Sequence, residues 1–108
     1  MKNYLVLFRE PDGRMEPHSA EDIARHQANW AAWFGQWKEV IVSGSGLTLE
    51  GWMIRDGEST PGIHRVGTEI VGGFLLVRAE SLAEAVEMMG TCPIYEFDGY
   101  AEVREMQG

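Results

Sequence analysis

The sequence predicts a single α+β domain with a ferredoxin-like β-α-β-β-α-β order, an antiparallel sheet carrying two helices on one face. Three observations carry that expectation: two segments with helix caps and a helical apolar stripe, β-prone runs before, between and after them, and strands apolar on both sides. A chain of 108 residues is the size of one hydrophobic core, so residues 1–108 read as one domain.

Tyr4-Leu5-Val6-Leu7-Phe8 is the first strand, ended by Glu10-Pro11-Asp12-Gly13, where Pro fixes φ and Gly tolerates a turn. The long helix spans Ser19 to about Glu39. Ser19 is placed to cap the backbone N–H of Asp22, and Glu21 and Asp22 suit the positive helix end. Val40-Ile41-Val42 is a short strand running into Ser43-Gly44-Ser45-Gly46, which reads as a turn, and Leu47 to Arg55 supplies a second extended stretch.

By composition, Arg55 to Gly62 is a loop. Glu69 to Arg78 is the strongest strand, and its Gly72-Gly73 pair points to a bulge or a close backbone approach. Ser81-Leu82-Ala83-Glu84 is a capping box, after which Leu82, Ala85, Val86 and Met89 form one helical stripe ending near Gly90. Gly99 to Glu105 is the last strand.

Alternation puts Gly72, Phe74 and Leu76 on one side of the strongest strand and Val71, Gly73, Leu75 and Val77 on the other. Strand one likewise opposes Tyr4, Val6 and Phe8 to Leu5 and Leu7. Two helices cover one sheet face, so an apolar second face calls for a homodimer through the sheet. The alternative cover is the polar loop from Asp56 to Thr68.

Seventeen acidic against nine basic residues give a net charge of -8, which repels phosphate backbones, so no direct nucleic-acid partner is expected. Tyr4 to Phe8 is too short for a signal-peptide core and no stretch approaches a membrane span. A cytoplasmic location without a membrane partner is the expectation. Cys92 is the lone cysteine, which excludes an intrachain disulfide and reads as buried and structural.

His18 and His64 fall in expected loops, and no two histidines share a metal-ligand spacing, so neither metal nor cofactor is expected. Ser43 to Gly46 lacks the following helix that a phosphate cradle needs. Around the long helix, Ile23, Trp30, Phe34 and Trp37 gather in one stripe that suits the core, with Asp22, His26 and Trp33 on its shoulder. The i, i+4 pair Asp22 and His26 suits an oriented imidazole, a general acid or base at the lip of an aromatic pocket formed by Trp30, Trp33, Trp37 and Phe74. The same spacing suits a half-buried histidine packed on Trp30, with Asp22 serving the helix terminus.

Glu69 through Gly72-Gly73-Phe74 and Ser81-Leu82-Ala83-Glu84-Ala85 to Glu87, then Cys92-Pro93-Ile94 and Glu102-Val103-Arg104, resembles the YCII-related proteins, in particular their DGPF-type branch. The match runs with few breaks from Thr68 to Glu105. It is weaker in Tyr4 to Arg9, in His26, Trp30, Trp33 and Gly35, and in Gly44 and Leu47. The resemblance implies a dimeric α+β barrel type of ferredoxin-like fold.

Where that branch carries Asp-Gly-Pro-Phe, this chain reads Pro61-Gly62-Ile63-His64, and the namesake aspartate is absent. His26 is similar to the first-helix histidine that the YCII branch pairs with an aspartate as an active site; Asp22 and Asp56 are candidates for that acid. Two functions stay open: a small enzyme or binder for a hydrophobic or aromatic metabolite, and a non-catalytic dimeric interaction or regulatory module, which the resemblance links to alternative sigma factors.

Overall fold

The computed structural model describes residues 1–12 and 18–107. Strands β1 (Lys2–Pro11), β2 (Ile41–Gly46), β5 (Glu69–Ala79) and β6 (Tyr100–Glu105) form one sheet in the order β2-β5-β1-β6, every neighbouring pair antiparallel. Helix α1 (Ala20–Trp37) follows β1, and α2 (Leu82–Met89) follows β5. This is the expected ferredoxin-like order, with β3 (Trp52–Arg55) and β4 (Glu58–Pro61) added as a separate two-stranded hairpin. Gly13 of the expected Pro-Asp-Gly turn lies outside the described residues.

Both helices start at the anticipated caps: the Ser19 hydroxyl accepts from the Asp22 N–H and the Ser81 hydroxyl from the Glu84 N–H, each at 3.1 Å. Two local expectations are corrected. Ser43 to Gly46 is strand, not turn, and Ser43 faces Leu76 while Gly46 faces Gly73. The small residues serve close approach, since a Cβ at Gly44 would collide with the Leu75 side chain and lie 2.6 Å from the Phe74 carbonyl oxygen.

The expected loop from Arg55 to Gly62 contains β4. Its hairpin turns at Asp56 and Gly57, which have φ of 52° and 81°. Two successive positive φ values between paired strands are what an Asp-Gly turn supplies, so polar composition concealed a tight hairpin.

The β1–β5 register slips between Phe8, opposite Gly73, and Arg9, opposite Val71, leaving Gly72 as the extra residue of a bulge. Tyr4, Val6 and Phe8 of β1, Leu75, Val77 and Ala79 of β5, Ala85, Met88 and Met89 of α2, and Trp33 of α1 build the core with Cys92 and Ile94. On α2, Leu82 and Val86 are exposed and Met88 is buried instead. Eight residues make barely two turns, and two stripes sharing Ala85 and Met89 are indistinguishable by spacing alone.

The expected core stripe of α1 is also rotated. Trp33 is the residue buried there, whereas Ile23 and Phe34 are exposed. The helix leans on the segment after α2, including the 3₁₀ turn Pro93–Phe97, with the Trp33 indole donating to the Thr91 hydroxyl at 3.1 Å. On the helix-free sheet face Leu5 opposes Leu76 and Leu7 opposes Phe74, all four half-buried.

Candidate functional site

Because α1 is braced on the 3₁₀ turn, its aromatic side chains stand across a gap from the sheet. The gap is a cleft of about 520 Å³. Phe8 and Glu10 enter it from β1, His26, Trp30 and Phe34 from α1, and Ser43 to Gly46 and Gly72 to Leu75 from the neighbouring strands. Phe8 meets Trp30 edge to face at 5.4 Å, and Trp30 stacks on Phe34 at 5.3 Å, which makes one wall apolar and flat.

His26 is fixed on several sides. Its Nδ1 lies 2.8 Å from Glu96 Oε1, and Asn29 donates to the other Glu96 oxygen at 2.8 Å. The Trp30 indole, a donor with no lone pair to offer, gives its N–H to His26 Nε2 at 3.0 Å. That assigns the imidazole proton to Nδ1, shared with Glu96, and leaves the lone pair on Nε2. Phe97 stacks on the imidazole at 4.2 Å and on the His18 ring at 3.8 Å. The His26 side chain is 18% exposed.

The two glutamates near His26 are perturbed in opposite senses. The His26 hydrogen bond, assisted by the weaker one from Asn29, holds the Glu96 carboxyl below the ordinary carboxylate range. Burial pushes the Glu10 carboxyl above it, against a smaller opposing pull from His26. Glu10 makes no hydrogen bond or ion pair among the described residues.

Of the residues singled out in the sequence, His26 and Trp30 meet at the cleft; Phe74 belongs to the β5 segment that lines it but pairs with Leu7, on the helix-free face. Asp22 does not reach His26; it pairs with Arg25 at 3.3 Å, and Glu96, seventy residues from His26, lies on the imidazole. Trp33 is in the core and Trp37 packs against it, so neither lines the cleft. Asp56 sits in the β3–β4 turn. Glu96 and Glu10 escaped the sequence reading; the one available signal was Cys92-Pro93, since Pro favours a helical first position and here opens the turn that carries Glu96.

Among the described residues no cluster of three His, Cys, Asp or Glu side chains is placed to hold a metal ion, and no helix is long and apolar enough to cross a membrane. Cys92 is buried and its thiol is pushed up by desolvation, which disfavours the thiolate.

No family model matches the chain, and no curated protein sequence matches it. Among solved structures, the chain is similar to 5-chloro-2-hydroxyhydroquinone dehydrochlorinase from Burkholderia phenoliruptrix in complex with 2,5-dihydroxybenzoquinone. The likeness has 19% identity and a TM-score of 0.56, and covers 97% of this chain and 93% of that one. At that identity the likeness establishes a shared α+β fold.

Proposed function

We propose that this protein binds a small hydroxylated aromatic compound in the cleft and passes the hydroxyl proton to and from His26. The Trp30–His26 hydrogen bond carries this reading. A hydroxyl both donates and accepts, so one inserted at that contact takes the indole N–H and gives its own proton to Nε2, leaving neither group unpaired. The Phe8, Trp30 and Phe34 surfaces suit a flat ring. When Nε2 takes the proton, the imidazolium faces the Glu96 carboxylate at Nδ1, which stabilises it.

Two supports are weaker. The enzyme of the solved structure described above is named for a chlorinated hydroxyhydroquinone, a hydroxylated aromatic, and holds 2,5-dihydroxybenzoquinone, the hydroxylated quinone form of such a ring. The sequence resemblance to YCII-related proteins, a few of which look like small enzymes on aromatic compounds, agrees with it. 4-Nitrophenol, whose absorbance distinguishes phenol from phenolate, is a direct probe. Wild type should quench Trp fluorescence on binding and raise the phenolate fraction, and His26→Ala should weaken binding at least about tenfold. A wild-type protein that does neither at millimolar probe overturns the reading.

A second reading is favoured by the helix-free sheet face: a homodimer, and with it a role as an interaction module. Leu5, Leu7, Phe74 and Leu76 form an apolar patch bordered by the Arg9–Glu102 ion pair at 3.0 Å, the pattern of an apolar centre with a charged rim. Sedimentation should show dimers at micromolar concentration, and Leu7→Asp should give monomers.

A further inference from the structure

We infer that Glu10 is a second proton-transferring group of the cleft, donating to a ring carbon of a substrate whose hydroxyl is held by His26. This rests on the reading just given and extends it from binding to a reaction. Three features of the fold point to Glu10. It is the neighbour of Pro11 at the end of β1, shares the cleft with His26, and has no hydrogen-bond or ion-pair partner among the described residues. Arg9, one residue earlier, is engaged by both Glu102 and Glu69. A half-buried carboxyl with no partner is costly, which selects for a role at that point.

The bulge at Gly72 is the second feature. A Cβ at that position would overlap the Glu10 carboxyl itself, so the carboxyl occupies space that exists because residue 72 has no side chain. Bulges re-aim side chains beside active sites, and here the extra residue of β5 makes room for the β1 carboxyl to turn into the cleft. Third, burial favours the protonated form of Glu10, and the smaller opposing pull from His26 acts only once the imidazole is charged. The cleft then holds a basic imidazole nitrogen and an acidic carboxyl near one apolar wall.

That pairing suits keto–enol tautomerisation of a polyhydroxylated ring. The hydroxyl O–H breaks and its proton goes to Nε2 of His26; the oxygen becomes a carbonyl. The ring electrons form a new C–H bond with the Glu10 proton, leaving a carboxylate and an imidazolium. Exchange with solvent restores both, and no oxidant or reductant takes part.

Resorcinol in D₂O tests this, since ring protons are replaced by deuterium each time the carbonyl tautomer forms and reverts. Wild type should accelerate loss of the ring-proton NMR signals. Glu10→Gln, close in shape, should bind resorcinol within about threefold of wild type yet lose about a hundredfold of the acceleration, the lower range for a general acid. Gly72→Ala, which displaces the carboxyl without removing it, should do the same. In the apoprotein, the Glu10 carboxyl ¹³C resonance should titrate above those of surface glutamates.

Full exchange activity in Glu10→Gln overturns the role of Glu10 and leaves the binding site standing. So does a wild type that binds resorcinol without exchanging it. A wild type that leaves resorcinol unbound, or a His26→Gln protein that binds it equally well, overturns the reading on which the inference rests.

Discussion

The rim and the floor of the cleft hold the same chemical group in opposite conditions. At the rim, outside the cleft lining and behind His26, Glu96 stands on the 3₁₀ turn, partly exposed, with both oxygens occupied by His26 and Asn29. At the floor, Glu10 is half-buried beside the Gly72 bulge with no hydrogen bond among the described residues. The hydrogen bond from His26, helped by Asn29, holds the first below the ordinary carboxylate range, and desolvation pushes the second above it. Two carboxyls separated this way can take different roles at one pH, one a fixed negative charge that orients an imidazole and the other a proton source. The difference comes from backbone placement, since the residue type is identical.

The comparison depends on α1 and the 3₁₀ turn staying braced, and Trp33 is the brace. Trp33→Ala removes a fully packed indole and its bond to Thr91, so a loss of about 3–5 kcal/mol in urea unfolding is expected, the largest effect proposed here. Glu96→Gln tests the rim alone. It keeps an acceptor for Nδ1–H but removes the charge facing a developing imidazolium, and resorcinol exchange should fall about tenfold to a hundredfold with the fold intact by circular dichroism. Unchanged exchange in that variant would reduce Glu96 to a surface contact.

How much of this was legible in the sequence follows from the range of each interaction. Ser19 and Ser81 announce their helices because a cap acts within one turn, and β1 and β5 announce themselves by local alternation. Ser43 to Gly46 carries residues that also mark turns; their actual use is to let β2 approach Leu75, a residue far along the chain. Asp56-Gly57 is a local hairpin signal, yet its second flank, Glu58–Pro61, is polar and lacks the apolar alternation that marks a strand. His26 stood out among its aromatic neighbours. Its acid did not, because the i, i+4 spacing favoured Asp22, which Arg25 engages, while Glu96 arrives from the far end of the fold. Glu10 was hidden in a turn-like Glu-Pro-Asp-Gly run, and what re-aims it is a bulge on another strand.

The smallest expected effect is also the sharpest test of the contrast, because the two glutamates should move stability in opposite directions with pH. Glu96 has a lowered folded value, so its contribution is present above the ordinary carboxylate range and disappears as pH falls through that lowered value. Glu10 has a raised folded value, so its favourable contribution is complete below the ordinary range and is lost as pH rises through the raised value. Relative to wild type, Glu96→Gln should therefore lose stability toward neutral pH and converge with it in acid. Glu10→Gln should gain toward neutral pH, since glutamine stays uncharged where the buried carboxylate would have to ionise. Urea midpoints for both variants, taken from about pH 3 to about pH 8, give two difference curves of opposite sign. Curves of the same sign would mean that floor and rim are one solvated environment, and the acid and base roles assigned to the cleft would lose their physical basis.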